Sequence, residues 1–127
     1  MNWKRIDKRL LLVLHDESLS LHGGASGLRD DGLLESALAR PLNLVAYGQP
    51  DHADLAAAYA SGLAKNPAFV DGNKRAAFSA VGLFLALNGY RLTASQPDAT
   101  MSVLALAAGG INEAEFASWV RTNSKPR

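Results

Sequence analysis

The chain contains no cysteine. Disulfides and thiolate catalysis are therefore excluded, which fits a reducing compartment. Charge of neither sign is in excess: 13 Lys and Arg against 12 Asp and Glu leave a net +1. No large field draws such a chain to nucleic acid. No apolar run approaches the ~20 residues needed to span a bilayer. The run Leu10 to Leu14 follows basic residues but is too short for a signal-peptide core. Internal repeats, heptads, low-complexity tracts and β-period segments of useful length are all missing. What remains is a 127-residue chain, 48% hydrophobic and 20% charged, which is globular rather than disordered. It is long enough to bury about two-thirds of its unfolded surface. We expect one domain, residues 1–127, of the all-α class, in the cytoplasm and away from membranes.

The chain is organised around Asn66-Pro67-Ala68-Phe69-Val70-Asp71-Gly72-Asn73-Lys74-Arg75. Apolar, Ala-rich segments run into this loop and out of it, and both read as buried helices. Gly72 opens backbone conformations closed to other residues. A helix that begins near Asn73 leaves its first N–H groups facing whatever lies over the loop, which makes an anion site. Lys74 and Arg75 add positive charge, and Asp71 can hold a divalent cation that bridges phosphates. The chemistry points to a phosphate-binding loop with a metal carboxylate. The same residues also serve an ordinary turn, with Asp71 as a helix cap and the cations in a solvated first turn. Phe69 is too large and apolar for solvent and reads as the plug that anchors the loop.

Periodicity and punctuation predict six helices. The first spans about 7–22, ended by His22-Gly23-Gly24. The second spans about 32–40, capped by Asp30 or Asp31 and closed or bent at Pro41, with one further turn over 42–47. Tyr47-Gly48-Gln49-Pro50 reads as a turn. The third, about 52–65, starts at Asp51 or Asp54, ends at Asn66-Pro67 and is apolar nearly all round, hence central. The fourth spans about 73–88. Tyr90 to Leu92 forms an extended link, Gln96 to Asp98 opens a fifth helix to about 108, and Asn112 with Glu115 caps a sixth over about 113–123. Ser124 to Arg127 should fray. His15 and His22 lie two turns apart, a poor spacing for a helical metal pair, and no third ligand is evident. Lys4, Arg5, Lys8 and Arg9 make a basic lead that suits a solvated face.

Phe69-Val70-Asp71-Gly72-Asn73-Lys74-Arg75 resembles the signature of the Fic/Doc family, His-x-Phe-x-(Asp/Glu)-(Gly/Ala)-Asn-(Lys/Gly)-Arg. Lys74 and Phe78 resemble the Doc branch. So do His15-Asp16-Glu17, His22-Gly23-Gly24, Gly27-Leu28-Arg29-Asp30 and Leu33 through Pro41, in the same order. The resemblance covers most of the chain. It implies a toxin that transfers the γ-phosphate of ATP, with Mg²⁺, to a threonine of elongation factor Tu, and that a Phd-type antitoxin silences in trans. By the same resemblance, Asp71 holds the metal, Gly72, Asn73, Lys74 and Arg75 hold phosphate, and Tyr47 to Pro50 faces the target. The departure is Pro67, which stands where the family has its general-base His. An AMP-transferring Fic-type enzyme and a non-catalytic module that binds nucleotide or antitoxin are the alternatives.

Overall fold

The computed structural model describes residues 2–127; Met1, the first residue of the basic lead, lies outside them. Among the described residues the elements are α1 (Lys8–His22), α2 (Asp31–Tyr47), α3 (His52–Lys65), α4 (Asn73–Leu87), β1 (Tyr90–Leu92), α5 (Gln96–Ala108), α6 (Glu113–Thr122) and β2 (Ser124–Pro126). The class is all-α, with one two-stranded ribbon. No helix among the described residues is long and apolar enough to cross a membrane.

The third helix is the axis of the bundle. Ala53 and every residue from Leu55 to Leu63 are buried, and the helix packs on α2, α4, α5 and α6. The run of alanines explains this: small side chains let four neighbours approach one helix. Its ends are fixed locally. Asp51 accepts from the Asp54 amide while the Asp54 carboxylate accepts from the Asp51 amide, a closed capping box. Large side chains fill the space around the alanine helix. The Tyr59 ring lies 5.3 Å from Phe84, and the Tyr59 hydroxyl accepts from the Ile6 amide at 3.0 Å, which ties the N-terminal segment to the core. Asn88 repeats the device at the end of α4, pairing its amide with both backbone groups of Lys4.

Two expectations are corrected. The second helix does not close at Pro41 but runs unbroken from Asp31 to Tyr47. Leu34, Ala37 and Pro41 are its buried residues, at helical spacing, so the proline belongs to the stripe that packs on α3. That burial offsets a ring that costs roughly 3 kcal/mol inside a free helix. The tail does not fray either. Ser124–Pro126 pairs antiparallel with Tyr90–Leu92, Tyr90 opposite Pro126.

A polar corner holds this ribbon. Arg121 of α6 donates to both carboxylate oxygens of Asp51, at 2.7 and 3.1 Å, and to Asp54 at 3.0 Å. His52 stacks on Tyr90 with centroids 3.8 Å apart, and its Nε2 meets Ser124 Oγ at 3.0 Å. The Arg121 hydrogen bond holds the Asp51 carboxyl well below the usual carboxylate range, and burial lowers the His52 imidazole. Both groups therefore bind protons more tightly in the unfolded chain. Their contribution is full above the unfolded values, about 6.5 for His and 3.9 for Asp, and is lost as pH falls through the lower folded values. Acidification from neutral should loosen this corner first, His52 before Asp51. Hydrogen exchange should show the ribbon amides opening before those of α3 and α4. Arg121→Ala should produce the same opening at neutral pH.

Candidate active site

The loop after α3 is shaped by its backbone partners. Leu28 and Phe69 form an isolated antiparallel bridge. Around it, the amides of Arg29 and Asp30 donate to the Ala68 carbonyl at 2.7 and 2.9 Å, and the Val70 amide donates to Gly27 at 3.1 Å. The Arg29 guanidinium donates to the Pro67 carbonyl at 2.5 Å. The segment between α1 and α2 thus forms one wall of the loop. Phe69 is 1% exposed and faces inward, so the polar residues that follow it are turned outward.

Asn73 closes the turn. Its Oδ1 accepts from the Phe69 amide at 2.9 Å and its Nδ2 donates to the Phe69 carbonyl at 3.0 Å. This changes the expected role of its side chain: the amide staples the loop shut rather than reaching for phosphate. The backbone N–H of Asn73 is a different matter. Gly72 caps α4 in the left-handed region, φ 78 and ψ 21, and no side chain caps the first turn. The amides of Asn73, Lys74 and Arg75 therefore lack the side-chain acceptor that usually covers them, and the helix dipole adds to their pull on an anion. An acidic cap, present at α1, α2 and α3, is missing where a phosphate would sit.

Pro67, Asp71, Gly72, Asn73, Lys74 and Arg75 line a single cavity of about 570 Å³, together with Ala64 and Lys65 of α3 and Ala107 of α5. Lys74 and Arg75 also border a second groove of about 620 Å³ between α1, α4 and α5. Neither cation has an acidic partner among the described residues. Arg75 is held instead by a neutral acceptor, the Gly23 carbonyl, at 3.0 Å, so its charge is left for a ligand.

Asp71 is the one carboxylate lining the cavity. Its Oδ1 accepts from the Gly72 amide at 2.7 Å, and Oδ2 accepts from the Ala25 amide at a long 3.4 Å. A single carboxylate beside a phosphate cradle suits Mg²⁺, which takes one or two carboxylates and completes its shell with phosphate and water. The residues present fit that ion; no cluster of three ligating side chains stands elsewhere among the described residues. Pro67 is exposed and offers the cavity no titratable group.

The turn His22-Gly23-Gly24-Ala25 belongs to the site, which the spacing of residues 66–75 alone does not reveal. The tandem glycines were the available signal. Gly24 has φ +123, and a Cβ there would stand 2.8 Å from Asp71 Oδ2 and 2.9 Å from Leu19 Cδ2. Gly24→Ala should therefore cost roughly 1–3 kcal/mol of stability from the backbone alone. It should also weaken Mg²⁺ binding by displacing the carboxylate; denaturant titration and metal titration of the variant check the two effects.

Tyr47 to Pro50 is not beside the loop. These residues precede α3, the loop follows it, and fourteen helical residues separate them, about 21 Å of helix. They line a different cavity, with Asn43, Asp54 and Glu113. The expectation of a target-facing edge there is overturned: the segment beside the loop is the one joining α1 to α2.

The comparisons agree with this geometry. Residues 5–85 match the model of the Fic/DOC family. Over 119 residues the chain is 34% identical to a protein kinase doc of Escherichia phage P1, covering 93% of this chain and 94% of that protein. Over 75 residues it is 49% identical to a toxin Doc of Mycolicibacterium smegmatis. That second match covers only 57% of each protein.

Proposed function

This chain belongs to the Fic/DOC family, and from that premise we propose that it is a Doc-like toxin of the kinase kind. Its loop binds the phosphates of ATP and directs the γ-phosphate to a protein hydroxyl, a threonine of elongation factor Tu, so that translation stops. A Phd-type antitoxin silences it in trans. The observation that supports this reading best is the single cavity that gathers Asp71, the uncapped start of α4 and two cations without acidic partners.

Each residue has a physical task in that reaction. Phosphoryl transfer asks a protein mainly for positioning and for charge where charge develops. The amides of Asn73 to Arg75 bind phosphate oxygens, Gly72 lets them face the cavity, and Lys74 and Arg75 balance the charge of the migrating and leaving groups. Asp71 would hold Mg²⁺, which neutralises phosphate charge when bound. The acceptor oxygen forms its bond to the γ-phosphorus as the bond to ADP breaks, and the hydroxyl proton must leave. Pro67 cannot take that proton. We therefore expect nucleotide binding close to that of a complete site, with slow transfer.

The test is labelled ATP, α-labelled in one arm and γ-labelled in the other, incubated with purified elongation factor Tu and either this chain or Pro67→His. γ-Label on the factor supports the kinase reading. α-Label supports AMP transfer and overturns it. No label in any arm leaves a nucleotide- or antitoxin-binding module, which Pro67 itself favours.

A further inference from the structure

His15 is one of three buried residues of α1, with Leu11 and Leu19. It is 4% exposed and makes two specific contacts. Its ring stacks on Phe69, centroids 3.7 Å apart and planes 15° from parallel. Its Nε2 lies 2.7 Å from the backbone carbonyl oxygen of Asp71. A carbonyl only accepts, so Nε2 carries the proton and donates. The imidazole also occupies the space beneath Gly72, where a Cβ would come within 3.3 Å of Nε2.

This arrangement bars His15 from replacing the missing base. Its Nε2 is engaged by the loop itself, and the ring is buried rather than open to an acceptor. The geometry points to another task. We propose that His15 is a positioning residue: its Nε2–H fixes the Asp71–Gly72 peptide, which aims the Asp71 carboxylate at the cavity and holds Gly72 in the left-handed turn that starts α4. The plug Phe69 holds the ring in place from one face, and the ring in turn holds the loop. A second element, α1, thereby sets the conformation of the phosphate loop from outside the 66–75 segment. Only the nucleotide arm of the test below rests on the functional reading above.

A side chain that merely filled space would be missed in stability alone. The test therefore compares His15→Gln, whose amide N–H reaches about as far as Nε2, with His15→Leu, which keeps apolar bulk and has no donor. Three readouts are taken on the full chain: melting temperature, the backbone amide resonances of Asp71, Gly72 and Asn73, and the affinity for Mg·ATP by calorimetry. Both variants lose the stack, so both should melt earlier. The Leu variant should also shift the Gly72 amide, speed its exchange and weaken Mg·ATP by about tenfold, the equivalent of one hydrogen bond. The Gln variant should keep the amide near its wild-type position and most of the affinity.

Equal behaviour of the two variants in the amide spectrum, or an unmoved Gly72 in the Leu variant, overturns the proposal. If the Leu variant does not fold, His15→Asn takes its place, since its amide is too short to reach the Asp71 carbonyl. If the wild-type chain binds no Mg·ATP, the functional reading falls, and the amide comparison alone decides the role of His15.

Discussion

Replacing Pro67 by His should raise the rate of γ-phosphate transfer by on the order of 10²–10⁴, the usual worth of general-base assistance. The gain should appear in kcat, with the KM for ATP nearly unchanged, because the phosphate contacts are made by other residues. The local structure favours delivery of the new side chain without rearrangement. The backbone of 67–70 is held by Arg29, by the Ala68 carbonyl and by the bridge to Leu28, none of which uses the proline ring. Pro67 already lines the cavity with Asp71, Lys74 and Arg75, so a histidine at that position points into the reaction space. Stability should fall slightly, by about 0.4–1 kcal/mol, as the unfolded chain regains freedom. The variant's activity should rise with pH through roughly 6 to 7, as the imidazole loses its proton and becomes a base. Steady-state rates of both proteins across that range decide the matter. A rate that does not change, or a gain without the pH dependence, would mean that proton removal is not what the proline costs.

How far the sequence could be read depended on whether a feature was local. The boundaries of α3 and α5 follow from residues that act within one turn: Asp51 with Asp54, Ser95 ahead of Pro97, and Gly109 after the last apolar residue. The loop chemistry was legible for the same reason, since the cations, the glycine and the carboxylate lie within five residues. Features that depend on a distant partner were not. Pro41 stays helical because of what α3 offers it. The terminal ribbon joins three-residue strands more than thirty positions apart, too short for any period to register. The side chain of Asn73 closes on Phe69 instead of a phosphate because the Leu28 bridge has already bent that segment. His15 shows the limit most plainly. Its spacing from His22 invites a question about metals, whereas its contacts are with Phe69 and Asp71, more than fifty residues on.

Phe69→Ala should be the most damaging single truncation in the site, although Phe69 touches no ligand in the proposed reaction. The ring is 1% exposed. Removing a buried Phe forfeits its transfer free energy and leaves a cavity, together about 3–5 kcal/mol. For a chain of this size that corresponds to a fall in melting temperature of roughly 10–20 °C. The consequence for the site follows from what leans on the ring. His15 stacks against it, and His15 holds the Asp71 carbonyl; the Phe69 backbone is what Asn73 closes upon. Loss of the ring frees the first of these supports and strains the second. Affinity for Mg·ATP should then fall together with stability, by more than tenfold, even at temperatures where the variant is still folded. Phe69→Leu separates the two terms, since it restores most of the apolar volume without the stack. It should recover most of the melting temperature and only part of the nucleotide affinity. Calorimetry on both variants at a temperature well below their melting points reads the difference. If the Leu variant recovered affinity in full, the ring would be filling space and no more, and the link from α1 through Phe69 to Asp71 would carry no functional weight.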